Sequence, residues 1–297
     1  MEPDKTELSI LIPVYNTVCV SFVRQLQQQA PGTGIDYEII VADDASTMPQ
    51  CVEENSQILQ IPCCRYIVNK ENRGAAATRN FLAQESCYRW LLFLDCDMQV
   101  PHEQFLAHYL APVPSLVING GLSIGGDQQR LKSNLRYRYE KQEEPHHTAQ
   151  QRQLRPYQSF RSTNFLISRD VMLQHPFDER FLRSGYEDVL FGKQLQQHHI
   201  PISHIDNPLL MTDYEDNPDY VIKIERSLQT LHTFRQELRG YSRLLTLAEG
   251  IHIGAVRSCI KFIHRLVGPL ERRCLCGHHP NLTIFKLYRI GYFMNLT

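Results

Sequence analysis

The first two thirds of the chain alternate short, unbroken apolar runs with stretches in which apolar residues recur at helical spacing. The clearest run is Trp90–Leu94, where five apolar residues end abruptly at Asp95. A run this short and uniformly apolar predicts a strand, over residues 90–95, that is buried on both faces of a parallel sheet. Further strands are predicted at residues 8–15, 37–42, 65–68, 116–120, 162–168 and 200–205.

Helical spacing separates these strands. Helices are predicted at residues 20–29, 74–85, 102–110 and 189–197. This alternation predicts an α/β domain with a mostly parallel central sheet and helices on both faces. From Tyr220 onward the pattern is helical, and helices are predicted at 222–238, 244–266 and 284–294. We therefore expect a sheet domain over residues 1–215 and a helical C-terminal extension over 216–297.

Two of the predicted strands end in pairs of carboxylates. Asp95 and Asp97 follow one strand, and residues two apart in an extended chain point to the same side. Asp43 and Asp44 follow another, and ligands of open α/β sheets bind at these carboxyl ends. Close carboxylates repel one another, so the site favours a bound Mg²⁺ or Mn²⁺, which would also hold a diphosphate. The alternative is a surface turn with solvated acids.

Composition excludes several classes of function. The chain has 297 residues, a formal net charge of −1 and 21% charged residues, which gives no support for a general nucleic-acid-binding surface. No apolar stretch reaches the roughly 18 residues that a transmembrane helix needs. The polar first residues are not typical of a signal peptide, and nine irregularly spaced cysteines are typical of reduced thiols. We expect a cytoplasmic protein.

Three stretches admit more than one interpretation. Glu187 and Asp188 lie in the first turn of a predicted helix, where they are either reactive groups or acids that the helix dipole favours. Residues 121–157 are polar and Arg-rich, and form either a mobile loop with a helix over the site or a solvated connector. The basic, aromatic residues 284–294 pack on their own domain, form a homodimer, or make peripheral contact with an anionic membrane.

Five short motifs occur in order between residues 8 and 205. They are Ile-Pro-Val-Tyr-Asn at 12–16, Val-Ala-Asp-Asp-Ala-Ser at 41–46, Asn-Arg-Gly at 72–74 with Ala-Thr-Arg-Asn at 77–80, Asp-Cys-Asp at 95–97 and Tyr-Glu-Asp at 186–188. Together they resemble the family 2 glycosyltransferases, which have the GT-A fold. The resemblance implies a metal-dependent, inverting transfer from a nucleotide-sugar, expected to be UDP-linked, to a glycan or lipid-linked acceptor. It also implies a bacterial cell-surface product.

The resemblance implies which residues bind the donor nucleotide. Pro13 and Tyr15 are expected to line the nucleotide pocket. Asp44 is expected to accept a hydrogen bond from the base, and Arg79 to reach the nucleotide. Asp95 is expected to contact the ribose, or the metal indirectly. Residues 1–120 would then form a nucleotide-binding half of the domain.

The resemblance also implies which residues carry the reaction. Asp97 is expected to bind the Mn²⁺ or Mg²⁺ ion that bridges the diphosphate. Asp188 is expected to be the catalytic base, and Glu187 to orient it or the acceptor. Asn164 lies in a stretch that often lines the acceptor side, which places an acceptor half at residues 121–215.

The chain departs from the family pattern at one position. Relatives often have a further His as a metal or phosphate ligand, and if that His belongs at Met211, this ligand is absent here. Water or His204 must then substitute, although a lone His near a strand end is more often structural.

Other functions remain as alternatives. A nucleotidyltransferase would need a Gly-rich, basic phosphate loop after the first strand, and residues 14–18 contain none. A receiver-like phosphoacceptor or binding module would need a Lys at a late strand end and a much shorter chain. A non-catalytic scaffold is disfavoured because Asp97 and Asp188 are both present.

Overall fold

The structure is a computed structural model and describes residues 6–111, 113–182 and 185–296. The strands are β1 (Glu7–Val14), β2 (Asp36–Asp43), β3 (Cys64–Val68), β4 (Trp90–Leu94), β5 (Val117–Asn119), β6 (Leu122–Ile124), β7 (Asn164–Ser168), β8 (Ile202–His204) and β9 (Leu209–Met211). The first helices are α1 (Val20–Gln29), α2 (Pro49–Asn55), α3 (Gly74–Glu85), α4 (Phe105–Leu110), α5 (Gln128–Leu131), α6 (Leu135–Glu143) and α7 (Ala149–Gln153). The later helices are α8 (Arg169–Gln174), α9 (Glu187–Gln197), α10 (Asn217–Thr233), α11 (Arg243–Gly250), α12 (Gly254–Leu275) and α13 (Leu282–Asn295). Short 3₁₀ turns occupy Ala30–Thr33, Ser56–Gln60 and Glu144–His147.

Seven strands form the central sheet, in the order β3-β2-β1-β4-β7-β5-β8. β1 pairs in parallel with β2 and β4, and β7 lies between β4 and β5 and is antiparallel to both. Every residue of β4 is buried, which explains why its run is apolar without alternation. The carboxyl ends of β1, β2 and β4 therefore meet at one edge, where α/β sheets bind their ligands.

The sequence predicts this architecture closely. The mostly parallel sheet with helices on both faces is confirmed, and each predicted strand is present with its ends within two residues. Helices α1 and α3 have the predicted bounds. Helix α4 begins at Phe105 rather than at residue 102, because the His102 carbonyl accepts hydrogen bonds from the Gln29 side chain and the Phe105 amide in a turn.

Three elements differ from the sequence predictions. The single helix predicted at 244–266 is two helices, α11 and α12, separated by a turn in which the His252 amide donates to the Gly250 carbonyl. Helix α2 was not predicted, nor was the two-stranded sheet of β6 and β9. Strands of three residues are too short for their side-chain alternation to be recognised.

Residues 121–157 contain β6 and helices α5 to α7, so the segment has more regular structure than the single helix that the sequence suggests. They are held to the C-terminal part of the chain by short hydrogen bonds. The Asn134 side chain donates to the Glu215 carbonyl at 2.7 Å, and the Leu135 amide donates to the Asn217 side chain at 2.7 Å. Because these bonds fix α6 in place, a closing motion of the whole segment would have to break them.

The C-terminal helices share a hydrophobic core with the sheet. Leu11 and Phe93 of the strands belong to one buried cluster with Leu228 and Leu231 of α10 and Phe293 of α13. The sheet and the C-terminal helices therefore contribute to one continuous hydrophobic core. Within the described ranges, no helix has both the length and the apolar character that crossing a membrane demands. The domain boundary at residue 215 stays a prediction.

Candidate active site

The carboxyl end of β4 carries the first pair of acids. Asp95 and Asp97 follow Leu94 directly, and Asp97 is exposed while Asp95 is partly buried. The Asp95 amide donates to the Thr163 carbonyl at 2.9 Å, just before β7 begins. The neighbouring strand therefore fixes the direction in which the turn leaves the sheet.

Arg79 joins these acids to the start of helix α9. Its side chain is 4% exposed, and one terminal nitrogen donates to Asp95 Oδ1 at 2.7 Å. The other terminal nitrogen lies 3.8 Å from Glu187 Oε1. That nitrogen and Nε are buried and make no hydrogen bond to any residue that the structure describes. Arg79 thus brings two acidic segments together and keeps donors that suit a further anion.

Hydrogen bonds to the backbone fix the two acids at the start of α9. Glu187 Oε2 accepts from the Gly185 amide at 2.7 Å, and Asp188 Oδ1 accepts from the Val189 amide at 2.8 Å. Tyr186, which precedes them, has a φ of 71°, a conformation that costs a bulky residue about 1–2 kcal/mol. The surrounding contacts must offset this strain, because the turn determines where both carboxylates lie.

The carboxyl group of Asp188 has a raised pKa. Burial raises the pKa of its carboxyl from the ordinary 3.8 to about 7, and the Glu187 carboxylate adds to the increase. The positive charges of Arg161 and Arg79 oppose it. A carboxylate with a pKa near 7 accepts protons efficiently at neutral pH, which is the property that a general base requires.

The raised pKa of Asp188 predicts how the free energy of unfolding depends on pH. The folded chain keeps a proton on Asp188 that the unfolded chain has lost, so its contribution to stability falls as the pH rises from about 4 through about 7. Asp188→Asn removes this penalty. We expect its stability advantage over the parent to grow by roughly 1–3 kcal/mol between pH 5 and pH 8, measured by urea unfolding. Asp170→Asn, at the start of helix α8, is the matched control and should show no such trend.

Asp95 and Asp97 are suited to bind a cation whose remaining ligands come from phosphate and water. Partial loss of hydration raises the pKa of Asp97, Asp95 raises it further, and Arg136 and Lys223 lower it. Among the described residues, no three His, Cys, Asp or Glu side chains converge as a metal site. Mg²⁺ and similar ions are commonly held by one or two carboxylates, with phosphate and water completing the shell. The two acids fit that arrangement.

Asp44 has a structural role at the start of helix α3. Its two carboxylate oxygens accept from the Arg73 amide at 2.9 Å and from the Gly74 amide at 2.8 Å. Gly74 has a φ of +84°, and a Cβ there would lie 2.8 Å from the Leu182 carbonyl oxygen. The Asn-Arg-Gly motif therefore serves a tight turn with close backbone packing. A contact between Asp44 and a base stays a prediction.

The ends of β1 and β2 are tied together at the same edge. Asn16 Oδ1 accepts from the Thr47 amide at 2.8 Å and the Met48 amide at 3.0 Å. Tyr15, beside it, is 46% exposed, and Pro13 is half-buried. An exposed aromatic ring at a strand end suits stacking on a planar ligand, so the predicted pocket residues lie where a nucleotide could reach them.

Comparison with known proteins decides the family. Residues 9–175, more than half of the chain, match the family described as glycosyl transferase family 2. The chain belongs to the family 2 glycosyltransferases. A stretch of 92 residues is 38% identical to an uncharacterized glycosyltransferase of Haemophilus influenzae, and it spans 30% of this glycosyltransferase and 29% of that relative.

Solved structures show the same fold. The glycosyltransferase superposes on S. aureus TarS (residues 1–349) with a TM-score of 0.53 and 16% identity, covering 98% of this chain and 90% of that chain. It superposes on the mannosyltransferase PcManGT from Pyrobaculum calidifontis with a TM-score of 0.54 and 12% identity, covering 97% and 86%. Identity this low shows the fold alone, which is the GT-A fold.

His204 makes hydrogen bonds through both ring nitrogens within the protein, and its role as a metal ligand stays a prediction. Its Nδ1 accepts from Arg152 at 2.8 Å, and its Nε2 donates to the Pro156 carbonyl at 2.9 Å. Burial lowers the pKa of His204 to about 4, so the ring is neutral. With both ring nitrogens in hydrogen bonds, the geometry favours the alternative of a structural histidine. Met211 is buried in β9 and offers no oxygen or nitrogen ligand from its side chain.

The Asn164 side chain makes hydrogen bonds within the protein, and the prediction that its stretch lines the acceptor side stays a prediction. Its amide nitrogen donates to the carbonyls of Gly121 and Asn207, both at 2.9 Å. Its amide oxygen accepts from the Tyr109 hydroxyl. The side chain is buried and its hydrogen-bonding groups are used within the protein, because it joins β7 to the loops after β5 and β8.

The sequence predictions missed Arg152, a buried cation in the glycosyltransferase. One terminal nitrogen donates to Asn119, at both its carbonyl (3.0 Å) and its side-chain oxygen (2.9 Å). The other donates to the carbonyls of Gly120 at 3.1 Å and Ile205 at 2.8 Å, and Nε donates to the His147 carbonyl at 3.0 Å. The Arg152 guanidinium thus supplies hydrogen-bond donors to backbone carbonyls of several loops. An Arg in a polar stretch gives no sequence signal for this role.

Replacing Arg152 with Met is expected to lower the free energy of unfolding by roughly 3–5 kcal/mol. Met keeps most of the volume but leaves the buried carbonyls without donors. Urea unfolding measures the loss, and the exposed Arg155 three residues away gives the control Arg155→Met, which should change stability by less than about 0.5 kcal/mol. Equal stability of the two variants would contradict the role of Arg152.

Two further cations near the acids were missed as well. Arg136 lowers the pKa of Asp97 and pairs with Glu215, and Arg161 lowers the pKa of Asp188. Arg136 belongs to the Arg-rich patch that the sequence shows, but nothing in that pattern indicates which side chain turns inward. The partner acids lie far away in the chain, so only the fold brings them together.

Proposed function

We propose that this glycosyltransferase is a metal-dependent, inverting enzyme that moves a sugar from a nucleotide-sugar to a hydroxyl group of a glycan or lipid-linked acceptor. One observation carries the proposal. The contacts of Arg79 with Asp95 and Glu187 place the acids after β4 beside the acids that begin α9. Inverting transfer needs a charge-stabilising site and a base on opposite flanks of one sugar, and two linked acidic segments can supply both.

The donor diphosphate would bind at the carboxyl end of β4. Asp97 would hold Mn²⁺ or Mg²⁺ there, with Asp95 beside it, and the ion would supply neutralisation of the charge that develops on the departing diphosphate. Arg79 faces the same region with two buried nitrogens that lack a hydrogen-bond acceptor among the described residues. These donors suit a phosphate or ribose oxygen. Pro13, Tyr15 and Asp44 would hold the nucleoside.

The acceptor would bind against the start of α9. Asp188 would take the proton of its hydroxyl, since the raised pKa of Asp188 matches neutral pH. Glu187 keeps one oxygen toward Arg79 and the other on the Gly185 amide, so it would orient Asp188 rather than react. In this assignment residues 1–120 serve the donor and residues 121–215 the acceptor.

The structural neighbours support a nucleotide-sugar donor. TarS has been crystallised with UDP and with UDP-GlcNAc, and PcManGT with GDP-Man and Mn²⁺. These ligands are bound by those proteins, and their nucleotide bases differ: uracil for TarS and guanine for PcManGT. For this glycosyltransferase we infer a UDP-sugar, a cytoplasmic location and a surface-glycan product on the resemblance of its motifs.

A screen of nucleotide-sugars tests the proposal. UDP- and GDP-linked sugars are added with MnCl₂ or with EDTA, and thermal unfolding is followed. We expect the correct donor with Mn²⁺ to raise Tm by about 2–6 °C and EDTA to remove the shift. A shift that survives EDTA would contradict metal dependence.

Product analysis separates the proposal from a nucleotidyltransferase. Sugar transfer releases a nucleoside diphosphate, whereas nucleotidyl transfer releases pyrophosphate. Incubation of the screened donor with an acceptor extract should release nucleoside diphosphate, and NMR of the product should show the opposite anomeric configuration from the donor. Pyrophosphate release would favour the alternative enzyme.

A further inference from the structure

Helix α12 turns most of its apolar side chains toward solvent. Phe262 and Leu266 are each 62% exposed and Leu270 is 66% exposed. The exposed residues of this stripe are Val256, Cys259, Phe262, Ile263, Leu266 and Leu270. At 3.6 residues per turn they lie within about 120° of one another and run for about 21 Å along the helix. We refer to these six residues as the α12 stripe.

The packing of α12 on the protein does not use this stripe. Other sides of the helix contact α13, where the His264 ring lies 5.2 Å from the Tyr288 ring and against Gly291. Within α12, His264 pairs with Glu271 at 3.0 Å. Arg265 donates to the Asn295 side chain at 3.1 Å. Gly268 and Leu275 are the buried residues of the helix. Most helices are stabilised by burying their apolar face, so we expect another surface to cover the α12 stripe.

The charge of α12 indicates what that surface is. The helix carries five Lys and Arg residues and one Glu, in a chain whose net charge is −1. Arg265 and Arg273 are exposed, on the same half of the helix as the stripe or beside it, and Glu271 is turned toward His264. An apolar stripe flanked by cations is the pattern of helices that lie in the plane of an anionic bilayer surface.

We propose that the α12 stripe docks this glycosyltransferase on an anionic lipid bilayer, with the helix lying in the headgroup region. A two-fold dimer through the same stripe would bring the exposed arginines of both copies together, which like-charge repulsion disfavours. Docking is independent of the donor and acceptor of the transfer reaction, and it is tested here without sugar transfer. If the acceptor is lipid-linked, docking would hold it close to the enzyme.

Vesicle flotation of the full chain tests docking. The parent should float with phosphatidylcholine vesicles that contain phosphatidylglycerol and stay unbound with phosphatidylcholine alone. The variant Ile263→Gln/Leu266→Gln/Leu270→Gln keeps every charge and should bind roughly a hundredfold more weakly. Leu59 and Leu154 are 63% and 74% exposed elsewhere on the protein, so Leu59→Gln/Leu154→Gln is the matched control and should bind as the parent does.

A charge variant tests the lipid class. Arg265→Gln/Arg273→Gln should weaken binding to the anionic vesicles about tenfold at low salt. Circular dichroism and urea unfolding establish that each variant is folded. Absence of flotation by the parent, or equal flotation with neutral vesicles, would overturn the proposal. A concentration-dependent dimer that the stripe variant dissociates, without vesicle binding by the parent, would identify a second copy as the occupant and would overturn it as well.

Discussion

Replacing Asp188 with Asn is expected to lower kcat by about 10²–10⁴-fold. Asn has the same shape but cannot accept the acceptor's proton, and the raised pKa of Asp188 shows that its surroundings are set for proton exchange near pH 7. Donor affinity should change by less than about threefold, because in the proposed arrangement the nucleotide binds at the end of β4, away from Asp188. Turnover with the donor identified by the screen gives kcat, and isothermal titration gives the donor Kd.

The control for Asp188→Asn is Asp170→Asn, which removes an exposed acid from the first turn of α8 and should leave kcat unchanged. The parent's kcat should rise with pH and level off above about 7, since the base must be ionised. If Asp188→Asn keeps the parent's turnover, the base is another group and the assignment fails.

Replacing Asp97 with Asn is expected to weaken donor binding in Mn²⁺ by roughly a hundredfold. The carboxylate would be the main protein ligand of the ion, and without it the ion that neutralises the diphosphate is held too weakly. The thermal shift that Mn²⁺ and donor produce together should disappear. Without a metal, the variant and the parent should bind the donor equally weakly, which separates loss of the ion from general damage.

Asp36 offers a matched control for Asp97. It is exposed at the amino end of β2, the opposite edge of the sheet from Asp97, so Asp36→Asn changes the same charge far from the site. We expect no change in metal or donor binding for this variant. Donor binding by Asp97→Asn that still depends on Mn²⁺ at the parent's level would place the ion elsewhere.

The fold follows from the sequence because its signals are local. The five apolar residues of β4 favour a strand buried on both faces, and the alternation around it leaves few topologies. The positions of the acids at the carboxyl ends of β2 and β4 also follow from these local signals. What local patterns cannot show is which strands are neighbours, so the antiparallel entry of β7 was not predicted.

The site was only partly predictable for the same reason. The motifs identify Arg79, Asp95, Asp97, Glu187 and Asp188, and the structure brings Arg79, Asp95 and Glu187 into contact. The hydrogen bonds of His204 and Asn164 could not be predicted, because their partners lie far away in the chain. Both side chains are fully bonded inside the protein, which residue type and spacing cannot reveal.

The position of β7 has a consequence for how the chain assembles as it leaves the ribosome. Strands β1 to β4 can pair as soon as they are made, but β5 has β7 and β8 as its neighbours, and both are synthesised later. The nascent chain must therefore hold residues 117–119 unpaired while some fifty more residues are added, a delay typical of non-local pairing. A fragment that stops at residue 120 would leave β5 without either of its neighbours in the sheet, so its three residues would have no strand to pair with.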